Sequence, residues 1–276
     1  MQKQKNNHYM ENALLFIDTN IFLDFYRIRK SDISIEYLKL IEECKSRIII
    51  GSQVEMEYKK NRQKVIVESL KQYSKPDWGK LSTPTLVSEL QSAQIIDKKR
   101  QEIDEQYKKV NEKIQKILGN PSHNDPVYQS LQRLFKHKSS YNLNREADIR
   151  FEIRELAQKR FILGYPPRKK NDTSIGDAIN WEWIIKCAKE SGKDIVIVTR
   201  DEDYGVIYKD KSYLNDWLAQ EFKQRVSQKR KILLENKLST GLKIIHAAVT
   251  QEMIDAEEQL LRDNITNQID IESESN

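Results

Sequence analysis

Three short runs constrain this chain more than anything else in it: Leu14–Ile17 (LLFI), Arg47–Ile50 closed by Gly51, and Asp194–Thr199 (DIVIVT). Each is apolar at consecutive positions instead of alternating ones, so a strand made from it has to be covered on both faces. Helical periods come after the first two runs. Ile35, Leu38, Ile41 and Cys44 keep one face of Ser34–Cys44, and Val54, Tyr58 and Val65 keep one face of the segment opened by Ser52. Doubly buried strands alternating with helices are the grammar of a parallel sheet in the α/β class. The same grammar places a helix over Ser174–Glu190 ending at Gly192 and another over Tyr213–Val226, with Leu214, Leu218 and Phe222 in register. Leu242–Ala247 is predicted as the last strand.

The alternation breaks after Ser74-Lys75-Pro76 and resumes after Gly164-Tyr165-Pro166-Pro167. Between them Thr85–Leu118 reads as one long charged helix, in which Ile103, Tyr107, Val110, Ile114 and Ile117 keep the four-three spacing of a coiled-coil seam until Gly119-Asn120-Pro121 stops it. Shorter helical patterns lie at Val127–Lys136 and Arg145–Leu163. The predicted organisation is one α/β domain formed by 1–75 and 163–250, interrupted by a helical insertion at 76–162 and completed by an acidic tail at 251–276.

At 276 residues, with 38% hydrophobic and 32% charged side chains, the chain is polar on average yet long enough for a sizeable core. No run approaches ~20 apolar residues, which excludes a membrane-spanning helix, and the few apolar residues before Asp18 are too short for a secretory signal. Cys44 and Cys187 are far apart and in no metal spacing, so a reduced, cytoplasmic protein is expected, with Cys44 a core thiol. The formal charge of +5 is uneven. From Glu252 onward eight acidic residues stand against Arg262 alone, a balance of −7 that leaves +12 on residues 1–251. A basic body suits a phosphate-bearing partner, and the acidic end reads as a flexible tail that could alternatively fold over a basic groove.

In open parallel sheets the chemistry gathers beyond the carboxyl ends of the strands. LLFI runs into Asp18, and VIVT into Arg200-Asp201-Glu202-Asp203, while the helices starting near that edge carry Glu57 and Asp177. Each has an ordinary explanation: a turn at Asp18-Thr19-Asn20, a solvated loop for Asp201 or Asp203, and capping boxes for Ser52 with Glu55 and Ser174 with Asp177. Glu57 is left without one, and Asp177 heads the row of Trp181, Ile184 and Ala188 that leads to the core edge. Carboxylates brought to one edge repel unless a cation sits among them, and all-oxygen donors favour Mg²⁺ or Mn²⁺. The motifs of P-loop NTPases, dinucleotide-binding proteins and serine hydrolases are missing from the sequence, and Asn20 stands where an aspartyl-phosphate phosphatase would need a second Asp.

Taken in order, these residues resemble the PIN-domain ribonucleases. FIDTN at 16–20 resembles the family's first strand and first Asp, Glu57 its second acid, Gly176-Asp177 its third, and Thr199-Arg200-Asp201-Glu202-Asp203-Tyr204 its T-x-D-x-D-aromatic element. Glu57-Tyr58 with Asn61-Arg62, GYPP at 164–167, GDAINW at 176–181 and LNDWLAQEF at 214–222 resemble a bacterial PIN-like subgroup. The resemblance implies a PIN-like sheet and a metal-dependent endoribonuclease, a toxin or defence effector among the roles open to it. Catalysis would rest on Asp18, Glu57, Asp177 and Asp201. Asp18, Asp177, Asp201 and Asp203 would hold Mg²⁺ or Mn²⁺, with Glu57 and Asp203 also orienting the attacking water. Asn20, Thr199, Arg62, Lys169 and Lys170 are candidates for contacting substrate, and Tyr165 for stacking an unpaired base. RNA is favoured over DNA as the partner. An antitoxin-like inhibitory protein and a second copy paired through the arm stay open. The competing readings are a silent PIN-like scaffold that binds RNA or protein, and a structure-specific DNA nuclease.

Overall fold

The computed structural model describes residues 10, 12–70, 77–78, 83–168, 174–209 and 211–274, the stretch 264–274 for its backbone path alone. In chain order the elements are β1 (Leu14–Ile17), α1 (Thr19–Leu23), α2 (Ser31–Glu43), β2 (Ile48–Gly51), α3 (Ser52–Leu70), α4 (Gln91–Gly119), α5 (Pro121–Asn124), α6 (Pro126–Phe135), β3 (Asn142–Leu143), α7 (Ile149–Ile162), α8 (Gly176–Ser191), β4 (Ile195–Val198), β5 (Gly205–Tyr208), β6 (Lys211–Leu214), α9 (Asp216–Arg225), β7 (Ile232–Glu235), α10 (Leu238–Ile244) and α11 (Gln251–Glu274).

Five strands form one parallel sheet in the order β3-β2-β1-β4-β7, and β5 and β6 form a separate antiparallel hairpin. Every residue of β1, β2 and β4 is buried, as runs without alternation require. β1 is central, in register with β4 from Leu14–Ile195 to Ile17–Val198, so Asp18 and Thr199 leave the sheet side by side. Helix α8 ends at Gly192, whose left-handed backbone (φ 63°) supplies the stop read from the sequence.

Three expectations are corrected. Leu242–Ala247 is no strand: Leu238, Leu242 and Ile245 are buried at helical spacing along and just after α10, and β7 is Ile232–Glu235. Gly241 lets α10 lie directly on β4, because a Cβ there would stand 2.4 Å from Val198 Cγ2. The helix predicted from Tyr213 starts at Asp216, where Asn215 Oδ1 accepts the Trp217 N–H (2.9 Å), and Tyr213 and Leu214 belong to the hairpin. The acidic segment is no free tail over its described part. Met253, Glu257 and Leu260, spaced by four and three, are buried on one face of α11, and the Tyr37 hydroxyl of α2 donates to Met253 O (2.9 Å). A tail rich in charge still docks, because its buried face carries Met253 and Leu260 and the carboxylate between them, Glu257, accepts the Leu238 and Ser239 N–H groups.

The segment 76–162 is less separate than its composition suggests. Leu131, Leu134, Phe135, Leu143, Ile153 and Ala157 share the main core, and β3 pairs with β2. What projects is chiefly α4, where of the predicted seam Tyr107, Val110, Ile114 and Ile117 are half-buried and Ile103 is exposed. Among the described residues no helix is long and apolar enough to cross a membrane.

Candidate active site at the carboxyl edge of the sheet

Asp18 is placed by the end of β1 and locked by the residues around it. Extended backbone (φ −74°, ψ 159°) makes it the N-cap of α1, and its Oδ1 accepts the Thr19 N–H at 2.6 Å. Its Oδ2 accepts from Asn20 Nδ2 (2.9 Å) and from the Thr199 hydroxyl (2.5 Å). Thr199 Oγ1 in turn accepts the Asp201 N–H (3.0 Å) and a longer contact from Asn20 Nδ2 (3.3 Å), so the ends of β1 and β4 share one hydrogen-bonded network.

Glu57 enters from α3. Its Oε2 accepts from the Thr19 hydroxyl (2.9 Å) and its Oε1 from Gln53 Nε2 (2.6 Å) one turn earlier. The start of α8 closes on the same carboxylate: a Cβ on Gly176 would lie 2.3 Å from Glu57 Oε1 and 2.7 Å from Gln53 Nε2. A larger residue at 176 would have to displace the ends of those two side chains, and the half-buried Asp177 follows in the first turn of α8. Ser174 Oγ accepts the Gly176 N–H (3.2 Å), and the N-cap of α8 is Ile175, one residue later than the predicted Ser174. In α3, Glu55 pairs with Lys59 one turn on (2.6 Å). Under the acids lies Tyr204, fully buried, its hydroxyl donating to Asp177 O at 3.4 Å. Burial raises the Tyr204 phenol well above its usual range, and the charges of Asp177, Asp18, Asp201 and Glu57 raise it further. All four predicted catalytic acids therefore act on one buried hydroxyl.

The electrostatics are unbalanced in one direction. Burial first, then the Asp201 charge and to a lesser degree Glu57, push Asp18 up to about 7 against the hydrogen bonds from Thr199 and Thr19. Asn20 Oδ1 is buried beside it with no hydrogen-bond partner among the described residues. An acceptor without a donor and a carboxylate raised by its neighbours both call for positive charge, and every candidate donor is a hard oxygen. In chemistry the site fits a divalent cation. Among the described residues no three His, Cys, Asp or Glu side chains form a ready-made metal cage, so the acids are assembled without being drawn together.

Of the other predicted residues, Asn20 and Thr199 lie in the network, and Asp203 is half-buried on the short 3-10 turn Glu202–Tyr204. Arg62 is a correction. It is buried, its Nε and NH2 bonded to Asp125 Oδ2 (2.8 and 2.6 Å) and its NH2 also to Ile117 O (2.7 Å), between the rings of Tyr26 and Tyr128. It ties α3 to the end of α4 and offers no charge to a phosphate. Lys169 and Lys170 lie outside the described residues. Tyr165 packs against Trp217 (centroids 4.9 Å apart), both partly exposed. Sequence reasoning missed Gln53, the close packing at Gly176 and the Tyr204 hydroxyl. Gln53 had a signal, since it stands four residues before Glu57 on the same helix face.

A family model described as a PIN domain matches residues 15–204. No curated protein and no solved structure matches the chain.

Proposed function

This chain belongs to the PIN-domain family, and from that premise we propose that it is a metal-dependent endoribonuclease working through the acids at the carboxyl edge of its sheet. The observation that carries the reading is Asp18: a carboxyl buried at a strand end, held by Thr199 and Asn20, and pushed up to about 7 beside Asp201. Structural carboxylates inside a protein are paired with cations of the chain itself; this one is surrounded by further acids.

Asp18, Asp177, Asp201 and Asp203 are the residues that would hold Mg²⁺ or Mn²⁺, which when bound supplies charge neutralisation at the phosphate and a more acidic water. The chain's own contribution is orientation. Thr19 and Gln53 fix Glu57 with lone pairs left to accept from an attacking water, and Thr199 and Asn20 fix Asp18. A nucleic-acid strand has a platform nearby. The hairpin after Tyr204 exposes Val206, Tyr208 and Tyr213, with Lys209 Nζ 5.3 Å from the Tyr208 ring centre, and Tyr165 and Trp217 add two more partly exposed rings. Exposed rings interleaved with lysines suit unpaired bases and their phosphates.

The test is cleavage of labelled RNA and DNA by the purified full chain with Mg²⁺, Mn²⁺ or EDTA. The expected result is RNA cut only with metal, and cutting lost in Asp18→Asn and Asp201→Asn. No cutting of either polymer, or cutting that survives both substitutions, would overturn it; cutting of branched DNA alone would move the substrate.

A further inference from the structure

Arg200, beside Asp201, points away from the acids and into a cluster that the candidate chemistry does not use. It pairs on one side with Asp24, just after α1, and on the other with Glu257 of α11 (3.6 Å). Asp24 is buried and also holds Arg27 (3.0 Å). Glu257 is 3% exposed and is fixed from three directions: it accepts the Leu238 and Ser239 N–H groups at the start of α10 (2.6 and 2.9 Å) and the Tyr37 hydroxyl of α2 (3.4 Å). Those two amides are orphan donors of a helix N-terminus, so the carboxylate is held where α10 begins and has little freedom to move.

We propose that α11, which lies beyond the matched stretch, sets the position of the loop Thr199–Tyr204 through Glu257 and Arg200, making both positioning residues for Asp201 and Asp18. The inference rests on reading that edge as a metal-dependent site. The physical need is plain. The charges of Asp201 and Glu57 act against that of Asp18, and an unheld loop of three or four residues at the end of β4 would relax that repulsion by swinging outward. Thr199 holds the loop at its base through Asp18 and the Asp201 N–H. Arg200 is the second hold, and it joins the loop after β4 to the segment after β1 through Asp24. Glu257 supplies the second negative charge that keeps a largely buried guanidinium in place. A buried ion pair broken on one side is far more disruptive than one never built.

The experiment uses the full chain and its Glu257→Gln and Arg200→Lys variants, with three readouts: amide hydrogen exchange, Mn²⁺ titration, and kcat and KM on labelled RNA. Glu257→Gln keeps the shape and removes the charge. The expected outcome is exchange about tenfold faster over Thr199–Tyr204 and Thr19–Tyr26 with β2 and α3 unchanged, Mn²⁺ bound about tenfold more weakly, and kcat reduced with KM unchanged. Arg200→Lys, which retains charge without the fork, is expected to fall between the wild type and Glu257→Gln. Unchanged loop exchange and Mn²⁺ affinity in Glu257→Gln, alongside a lower melting temperature, would overturn the proposal and leave Glu257 as an anchor for α11 alone. If the wild type binds no Mn²⁺ and cuts nothing, the nuclease reading fails, and hydrogen exchange in the loop still decides this one.

Discussion

Asp18 and Glu182 are each 3% exposed, and they sit in opposite electrostatic company. Glu182, on α8, accepts from Arg160 Nε of α7 (2.9 Å) and from both terminal nitrogens of Arg225 on α9 (2.6 and 3.0 Å). Glu221 joins both arginines, and its other oxygen accepts the Trp181 indole N–H (3.1 Å). Burial alone would raise Glu182, but Arg225 and Arg160 outweigh it and hold the carboxyl below its ordinary range. Asp18 is buried as deeply with Asp201 and Glu57 as its charged neighbours, and it is pushed up to about 7. One region pairs its buried carboxylate with arginines, while among the described residues the charges that act on Asp18 are carboxylates. That contrast is why the first reads as architecture and the second as a site that works on something brought to it.

Breaking the paired region should have the largest effect. Glu182→Ala leaves the buried Arg160 and the half-buried Arg225 with Glu221 as their one shared carboxylate, and urea unfolding should show a loss of about 3–5 kcal/mol. A loss below about 1 kcal/mol would mean that the network is wet and the contrast with Asp18 false. Asp18→Asn should move stability the other way. Without metal at pH 8 it removes a buried, repelled charge and should gain about 1–3 kcal/mol by the same measurement, while RNA cutting falls on the order of 100-fold or more. A variant that loses both activity and stability would place Asp18 among the structural carboxylates.

The two regions also predict opposite responses to pH. Between the ordinary aspartate value of 3.8 and about 7, folded Asp18 holds a proton that the unfolded chain has released, so stability falls as pH rises through that window. Glu182 is depressed, so its contribution is present above the ordinary 4.5 and is lost as pH falls below it. Subtracting Asp18→Asn from wild type in metal-free melts isolates the first trend, with a limiting slope of about 1.4 kcal/mol per pH unit. Mn²⁺ should restore most at pH 8 and little at pH 5. A metal shift independent of pH would separate the cation from Asp18.

Much of this was legible in the sequence where the determinant was local. The strands β1, β2 and β4 are runs of adjacent apolar residues, and the acids could be placed because a strand end and a helix start are sequence-local facts. What escaped depends on distant partners. Arg62 looked like a phosphate contact because Asp125, which buries it, is 63 residues away. Glu257 looked like tail charge because its acceptor role depends on amides of α10 and on Arg200, which no period of α11 announces. Leu242–Ala247 failed for another reason: a short apolar run suits a buried helix as well as a strand, and the true β7 was disguised by Lys229-Arg230-Lys231 before it and Lys237 after it.

The smallest expected effect isolates burial as the variable in the comparison. Arg133 of α6 grips Glu42 of α2 through Nε and NH2 (2.8–3.0 Å), a two-nitrogen grip like the one that Arg225 places on Glu182 through its terminal nitrogens. The hydrogen bonds of Arg133 hold Glu42 below its usual range, as Arg225 and Arg160 hold Glu182. The side chains are 54% and 33% exposed, so water already solvates both ions and the pair replaces good hydration with a good contact. Arg133→Ala should therefore cost less than about 1 kcal/mol in urea, shrinking further in high salt, although it too grips its carboxylate with two nitrogens. A loss close to that of Glu182→Ala would show that fork geometry stabilises this fold wherever it occurs. The opposite behaviour of Asp18 and Glu182 would then need a cause other than which buried charge the chain itself has paired.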